Sequence, residues 1–288
     1  MVDPRVQALQ LRALLNDSSI EITARDVELL EKAAPAIAAG SMISITFLPG
    51  ETFASRVDAA ARVGALGFRP VPHISARRLS SAGELEGFLD ALASRIALDH
   101  VFVVAGDLPQ PAGPYGDALS IIHSGLFVRY GVSHVGVAGY PEGHPQIASD
   151  LLWQALADKS AALEAQGIAW SIMTQFAFDA VPVAHWLSEL RERGIKVPVR
   201  CGVPGPASVK TLLRFAARCG VGTSARVMAK YGLSLGRLLN TAGPDGFIEE
   251  LAASLPAGSD ATTALHLYPF GGLNRTAEWL GEFRARSA

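Results

Sequence analysis

Several polar side chains stand where apolar runs end, the places where a parallel α/β protein keeps its chemistry. Glu21 sits between Ile20 and Ile22, Thr46 closes a β-branched run, and His73 lies in Pro72-His-Ile-Ser. Asp107 follows Gly106 in Gly-Asp-Leu-Pro, Tyr140 and His144 share Tyr-Pro-Glu-Gly-His-Pro, Gln175 follows Thr174, and Arg275 ends Leu273-Asn-Arg. Two carboxylates at one mouth, Glu21 and Asp107, are the raw material of acid and base catalysis, because unequal burial and neighbouring charge separate their pKa values. Each residue also has a plain reading. Glu21 could be a surface acid of an edge strand and His73 a core histidine satisfied by backbone. Asp107 could start a turn, Gln175 could tie down a loop, and the proline-flanked Tyr140 and His144 could stiffen one. One shared rim explains all of them at once. A metal site from His73, Asp107 and His144 competes, but the first strand carries no His-x-His or His-x-Asp pair.

The elements that must position these residues alternate between short β-branched runs and longer stretches with helical apolar spacing. The runs Ile20–Thr23, Met42–Leu48, Phe68–Ile74, His100–Ala105, Ser133–Gly139, Ala169–Phe176, Val197–Gly202 and Ala264–Tyr268 read as eight strands. Between them Val27, Leu30, Ala34 and Ile37 share one helical face, as do Leu85, Phe88, Leu89, Leu92 and Ile96, and again Val183, Trp186, Leu187 and Leu190. Thr23 with Asp26 and Ser81 with Glu84 have the spacing of helix-start caps. Eight βα units close most economically into a (β/α)8 TIM barrel, here a single α/β domain over residues 1–288 with a short helix around Val6–Leu15 in front. An open doubly wound sheet normally places a glycine-rich phosphate loop after its first strand, and no glycine occurs between Thr23 and Gly40. Gly220-Val-Gly-Thr-Ser-Ala225 loosely fits a dinucleotide pattern but follows a helical run, which makes Gly220 a helix cap instead.

Composition narrows the partners. The 288 residues carry 25 basic and 27 acidic side chains, a net charge of −2, with no basic run to attract nucleic acid or an acidic membrane surface. Cys201 and Cys219 are too few for a disulfide framework, which points to a reducing compartment. The opening Met1-Val-Asp-Pro-Arg lacks the basic start of a signal peptide, and no apolar stretch is long enough to span a bilayer, so a cytoplasmic location is expected. A homo-oligomer stays compatible with the sequence.

Taken in order, Pro72-His73, Gly106-Asp107-Leu-Pro109, Ala138-Gly-Tyr140-Pro-Glu142-Gly-His144-Pro145, Thr174-Gln175-Phe176 with Phe178-Asp179, and Leu273-Asn274-Arg275 resemble the methylenetetrahydrofolate reductases over most of the chain. Ser44-Ile-Thr-Phe-Leu-Pro49 looks superficially like that family's first-strand Ser-Phe-Glu-Phe-Phe-Pro-Pro, but this alignment would lose one βα unit and replace the glutamate by Thr46. Counting strands matches Ile20-Glu21-Ile22 to the first strand instead. The resemblance implies a flavin enzyme that moves a hydride between reduced FAD and the one-carbon unit of 5,10-methylenetetrahydrofolate, with NADH or NADPH as reductant and tetrahydrofolates as partners. It makes Glu21 the general acid that opens the folate ring and sets Asp107 beside the flavin and the cationic iminium. It assigns Gln175 and Arg275 to the folate, and Thr46, His73, Gly106, Tyr115, Tyr140, His144 and Lys159 to the FAD.

The chain also departs from the family. Ile22-Thr-Ala-Arg25 replaces the aromatic-proline run, Ala105 stands where arginine is common, and the helix Ala148–Gln166 keeps the flavin-binding pattern only at Lys159. A second reading therefore accompanies the first: a folate-binding or methyl-transferring protein that has lost flavin chemistry.

Overall fold

The computed structural model describes residues 4–221, 241–255 and 263–287. Among these, eight parallel strands close into a barrel in the order β1-β8-β7-β6-β5-β4-β3-β2. They are β1 Ser19–Ile22, β2 Met42–Ile45, β3 Arg69–Ser75, β4 His100–Val104, β5 His134–Gly139, β6 Ala169–Phe176, β7 Val199–Pro204 and β8 Thr263–Tyr268. The helices between them include α1 Pro4–Asn16, α2 Val27–Ala33, α3 Phe53–Ala65, α4 Ala82–Ala93, α5 Ala118–Ile122, α6 Leu126–Arg129, α7 Ser149–Ala165, α8 Ala180–Glu192, α9 Val209–Cys219, α10 Asp245–Ser254 and α11 Leu273–Arg286. No helix among the described residues is long and apolar enough to cross a membrane.

The expected (β/α)8 architecture is present, with small shifts at the strand ends that have local causes. Thr23 leaves β1 because its side chain accepts from the Arg25 amide while Asp26 accepts from the Thr23 N–H at 2.8 Å, a reciprocal cap on a short 3-10 turn. Ser81 caps α4 through the Glu84 N–H at 3.1 Å, as its spacing suggests. Gly220 ends α9 in the left-handed region at φ +65°, and its N–H bonds the Ala216 carbonyl. Residues 222–225 of the loose dinucleotide pattern lie outside the described residues. β2 stops at Ile45, so Thr46 lies one residue past the strand, its N–H held by the Ile22 carbonyl at 2.8 Å.

Strand alternation divides the side chains between two cores. Ile20, Ile22, Ile43, Ile45, Val101, Val103, Val135 and Val137 pack outward against Leu30, Leu85, Leu89 and Leu187 of the helical layer. Met42, Val71, Phe102 and Met173 fill the barrel axis. The ring of Phe102 fits because Gly136 on β5 has no side chain: a Cβ there would lie 2.8 Å from Phe102 Cδ2. The N-terminal end of the barrel is polar, with Arg200 bonding the Asp17 carboxylate and carbonyl.

β6 and β7 lose register between Met173 and Phe176. There the Gly202 N–H donates to Thr174 Oγ1 at 2.8 Å, and a Cβ on Gly202 would meet the Thr174 carbonyl oxygen at 2.5 Å. Backbone cannot yield as a flexible side chain does, so Gly202→Ala should cost about 2 kcal/mol or more through overpacking. Urea denaturation measures this; an unchanged midpoint would mean that the strands do not approach so closely.

Candidate functional site

Glu21 points into the barrel near its C-terminal end, where this architecture holds its sites. Its side chain is 19% exposed, and two imidazoles flank it: His266 Nε2 on β8 lies 3.8 Å from Oε2 and His73 Nε2 on β3 lies 4.0 Å away. Neither Nε2 atom has a hydrogen-bond partner among the described residues. Burial raises the Glu21 pKa to about 7, against a smaller opposing pull from His73. Burial also pushes His73 down to about 4 and His266 down to about 3. Near neutrality the cluster is therefore a carboxyl group at its titration midpoint between two uncharged imidazoles, a poise suited to giving and taking a proton.

The supports of this cluster come from distant parts of the chain. The buried Arg56 donates through Nη1 to the His73 carbonyl at 2.9 Å, and its guanidinium lies over Phe47, Phe53 and Phe88. The His73 ring leans on Phe102 with centroids 4.6 Å apart. His266 Nδ1 shares a hydrogen bond with Ser19 Oγ at 2.8 Å. Beside it, Tyr268 presents its ring edge at 4.8 Å and donates its hydroxyl to the Thr174 carbonyl at 3.1 Å. Above Tyr268 an aromatic wall forms from Phe176, Phe270 and Phe215, with the last two stacked at 3.9 Å.

The second carboxylate behaves differently. Asp107 is exposed at the rim and takes a two-pronged hydrogen bond from Arg78, Nε to Oδ1 and Nη2 to Oδ2, each 2.8 Å. That bond holds its pKa below the usual carboxylate range, with Arg218 adding to the effect. Arg78 in turn lies 4.7 Å over the Phe47 ring. The inequality expected of the two carboxylates is thus present, with the Glu21 pKa raised and the Asp107 pKa lowered.

The remaining residues singled out by sequence divide between two places. Thr46, His73, Gly106 and Gln175 border the mouth. Gly106 needs its φ of +93°, and a Cβ there would press Ser75 Cβ at 3.3 Å. Gln175 is half-buried, with Oε1 taken by the Phe176 N–H at 3.1 Å. Arg275 is exposed in the first turn of α11 and forms no ion pair with Glu278 or any other described residue. Lys159 lines a cavity of about 120 Å³ between the C-terminal end of β5, α7 and α8, and Tyr140 borders both this cavity and the mouth, where it is an electrostatic neighbour of Tyr268. His144 meets Tyr140 edge-on at 5.2 Å. Burial lowers the pKa of the Lys159 amine, with Asp117 and Asp158 opposing. Tyr115 is 7% exposed and packs into the outer core. The three residues of the metal reading have different neighbours: His73 faces Glu21, Asp107 holds Arg78, and His144 meets Tyr140 edge-on.

His266, Tyr268, Ser19, Arg56 and Arg78 were not singled out by sequence. For His266 and Tyr268 a signal existed, since period two in Ala264–Tyr268 turns both inward while Leu265 and Leu267 pack outward.

Comparisons with known proteins bear on this geometry. The profile of the family described as methylenetetrahydrofolate reductase matches residues 27–270. Among solved structures, an uncharacterized protein from Clostridium thermocellum that binds two copies of 5-methyl-5,6,7,8-tetrahydrofolic acid is 14% identical, with a TM-score of 0.64 over 95% of this chain and 96% of that one. A GH20 beta-N-acetylhexosaminidase from Streptomyces coelicolor A3(2) is 11% identical, with a TM-score of 0.41 over 93% of this chain and 63% of that one.

The raised pKa makes Glu21 a source of pH-dependent stability. The folded chain binds the Glu21 proton more tightly than the unfolded one, so stability falls as pH rises from the unfolded value of 4.5 to about 7. Glu21→Gln removes this loss. Between pH 4.5 and pH 8 the variant should gain up to about 3 kcal/mol on the wild type. Paired urea titrations across that range check it; a difference constant with pH would show Glu21 titrating as an ordinary carboxylate.

Proposed function

Because this chain belongs to the methylenetetrahydrofolate reductase family, matched over residues 27–270, we propose that it interconverts 5,10-methylenetetrahydrofolate and 5-methyltetrahydrofolate, with Glu21, which precedes the matched segment, as the acid and base. The observation that carries this reading is Glu21 itself, a carboxyl group poised near pH 7 between uncharged His73 and His266 at the barrel mouth. The 5-methyltetrahydrofolate bound by the Clostridium thermocellum protein is consistent with a folate ligand here.

In the reductive direction the Glu21 proton goes to the ring nitrogen that leaves as the five-membered ring opens, and an iminium forms on the other nitrogen. Asp107 places a fixed negative charge at the rim, which favours that cation if Arg78 yields. Arg275, exposed and without an ion pair among the described residues, is a group available to a folate carboxylate, with the half-buried Gln175 amide assigned to the pterin.

FAD fits less well. The residues that the resemblance assigns to it are spread out: Thr46, His73 and Gly106 border the mouth, Tyr140 lies between the mouth and a cavity of about 120 Å³ that Lys159 lines, and Tyr115 is packed in the outer core. A dinucleotide needs a cleft several times larger. This division favours a second reading, a folate-binding or methyl-transferring protein without flavin chemistry, and no step is routed through FAD.

Binding and turnover separate the two readings. Under the first, 5-methyltetrahydrofolate binds and the protein oxidises it with an added two-electron acceptor. That rate rises with pH through about 7, where Glu21 becomes the base, while the reductive rate falls through the same pH. Glu21→Gln lowers either rate about 10² to 10⁴-fold, and Arg275→Ala weakens folate binding with little change in melting temperature. Tight folate binding to a colourless protein that takes up no FAD and turns over with no acceptor supports the second reading. Failure to bind any reduced folate overturns both.

A further inference from the structure

We propose that a cavity of about 380 Å³ beside the mouth, between α3, the end of β3 and α4, is a second small-molecule site, built for a neutral aromatic ligand that carries a carbonyl and an N–H side by side, as an amide does. It takes no part in the chemistry assigned to Glu21 and stands or falls on its own. Its volume lies within the range of about 300 to 1,000 Å³ in which small-molecule sites occur.

The walls come from three neighbouring βα units. The segment after β2 supplies Phe47 and Glu51, α3 supplies Phe53 and Arg56, and α4 closes the far side with Glu84 and Phe88. Thr52 and Ser55 cap α3 reciprocally, with the Ser55 N–H donating to Thr52 Oγ1 at 3.1 Å. That start sets Arg56 one turn into the helix, where it is 4% exposed and its guanidinium carbon lies 4.5 to 5.0 Å from the centroids of Phe47, Phe53 and Phe88. Phe53 and Phe88 themselves meet at 4.7 Å. An aromatic wall around a fixed guanidinium is the result.

Two polar atoms on residues of this wall are left over. Arg56 Nη1 is taken by the His73 carbonyl, but its Nε is buried and has no hydrogen-bond partner among the described residues. Glu51 Oε2 accepts the Leu48 N–H at 2.9 Å, whereas its Oε1 is buried and equally unpartnered. A buried donor and a buried acceptor without partners each carry a cost, and a ligand with the complementary pair removes both. The carbonyl of an aromatic amide accepts from Arg56 Nε, its N–H donates to Glu51 Oε1, and its ring lies against the phenylalanines.

Charge selects the neutral form. Arg56 and Arg78 face Glu51 and Glu84 across the cavity walls, two charges of each sign, and Arg78 is held further by Asp107. Glu84 is committed through Oε2 to the Ser80 hydroxyl at 2.8 Å. Burial lowers the Arg56 pKa only to about 10, with Glu51 and Glu84 opposing, so the guanidinium is charged at neutral pH. A carboxylate ligand would satisfy Arg56 but meet the Glu51 charge, and an amidinium would satisfy Glu51 but meet the Arg56 charge.

Benzamide, benzoate and benzamidinium share one shape and differ at this edge alone, which makes them the probes. Their affinities for the protein at pH 7 come from saturation-transfer and chemical-shift NMR titrations. Benzamide should bind at least about tenfold more tightly than either ion. Glu51→Gln keeps an oxygen for the Leu48 N–H and turns the free acceptor into a donor, so the preference should pass to benzoate, which offers two acceptors. In a crystal grown with saturating benzamide, the amide should bond Arg56 Nε and Glu51 Oε1. Equal binding of the three probes, tighter binding of either ion to the wild type, no binding, or a cavity filled by water alone in that crystal overturns the proposal. None of these results bears on Glu21 or on folate.

Discussion

A carboxyl group removed from water without a formal counter-charge is the constraint around which this barrel is arranged. His73 and His266 approach Glu21 to 4.0 and 3.8 Å, close enough to stabilise an anion if either were protonated, but their own burial keeps them neutral. Desolvation therefore dominates, and the acid keeps its proton up to about pH 7. The packing around it serves this balance. Phe102, admitted by Gly136, closes the axis beneath the site and supports His73, while Arg56 fixes the His73 backbone from the helical layer. Loosening any of these would admit water and return Glu21 toward its ordinary value.

Much of this was legible in sequence because period two is a strong constraint. Ile20 and Ile22 had to face the helices, which left Glu21 facing inward, and counting strands put the family's first-strand glutamate at Glu21 on β1 in preference to Thr46, just past β2. The rim was legible for the same reason, since each polar residue followed an apolar run. Pairings across the barrel were not. Nothing local in Arg78 or Asp107 announces their two-pronged bond, formed across 29 residues, and the Ser19 and His266 contact spans 247. Such contacts arise from closure of the sheet. Lys159 shows the opposite limit: its place on α7 followed the family pattern, yet that helix face looks into a cavity between β5, α7 and α8 and not into the barrel axis.

The two carboxylates illustrate how one rim produces unlike acids. Asp107 reaches a guanidinium and stays ionised, whereas Glu21 meets only neutral rings and keeps its proton. The proposed function draws on these environments, with proton movement assigned to Glu21 and a standing charge to Asp107. The Arg78 bond also sets a cost for using that charge, because a cationic ligand must displace a well-formed pair at an exposed site. Such exposed pairs are individually worth little, so displacement is within reach of modest binding energy.

The central claim is that Glu21 holds its proton to about neutral pH because burial outweighs its two imidazole neighbours. The direct measurement is the ionisation of Glu21 itself, followed by carboxyl-carbon NMR of protein carrying 13C-labelled glutamate, with Glu21→Gln assigning the resonance. A midpoint near 7 is the result expected, with His73 and His266 silent down to below pH 5. A midpoint near 4.5, or imidazoles that titrate near 6.5, would contradict the account.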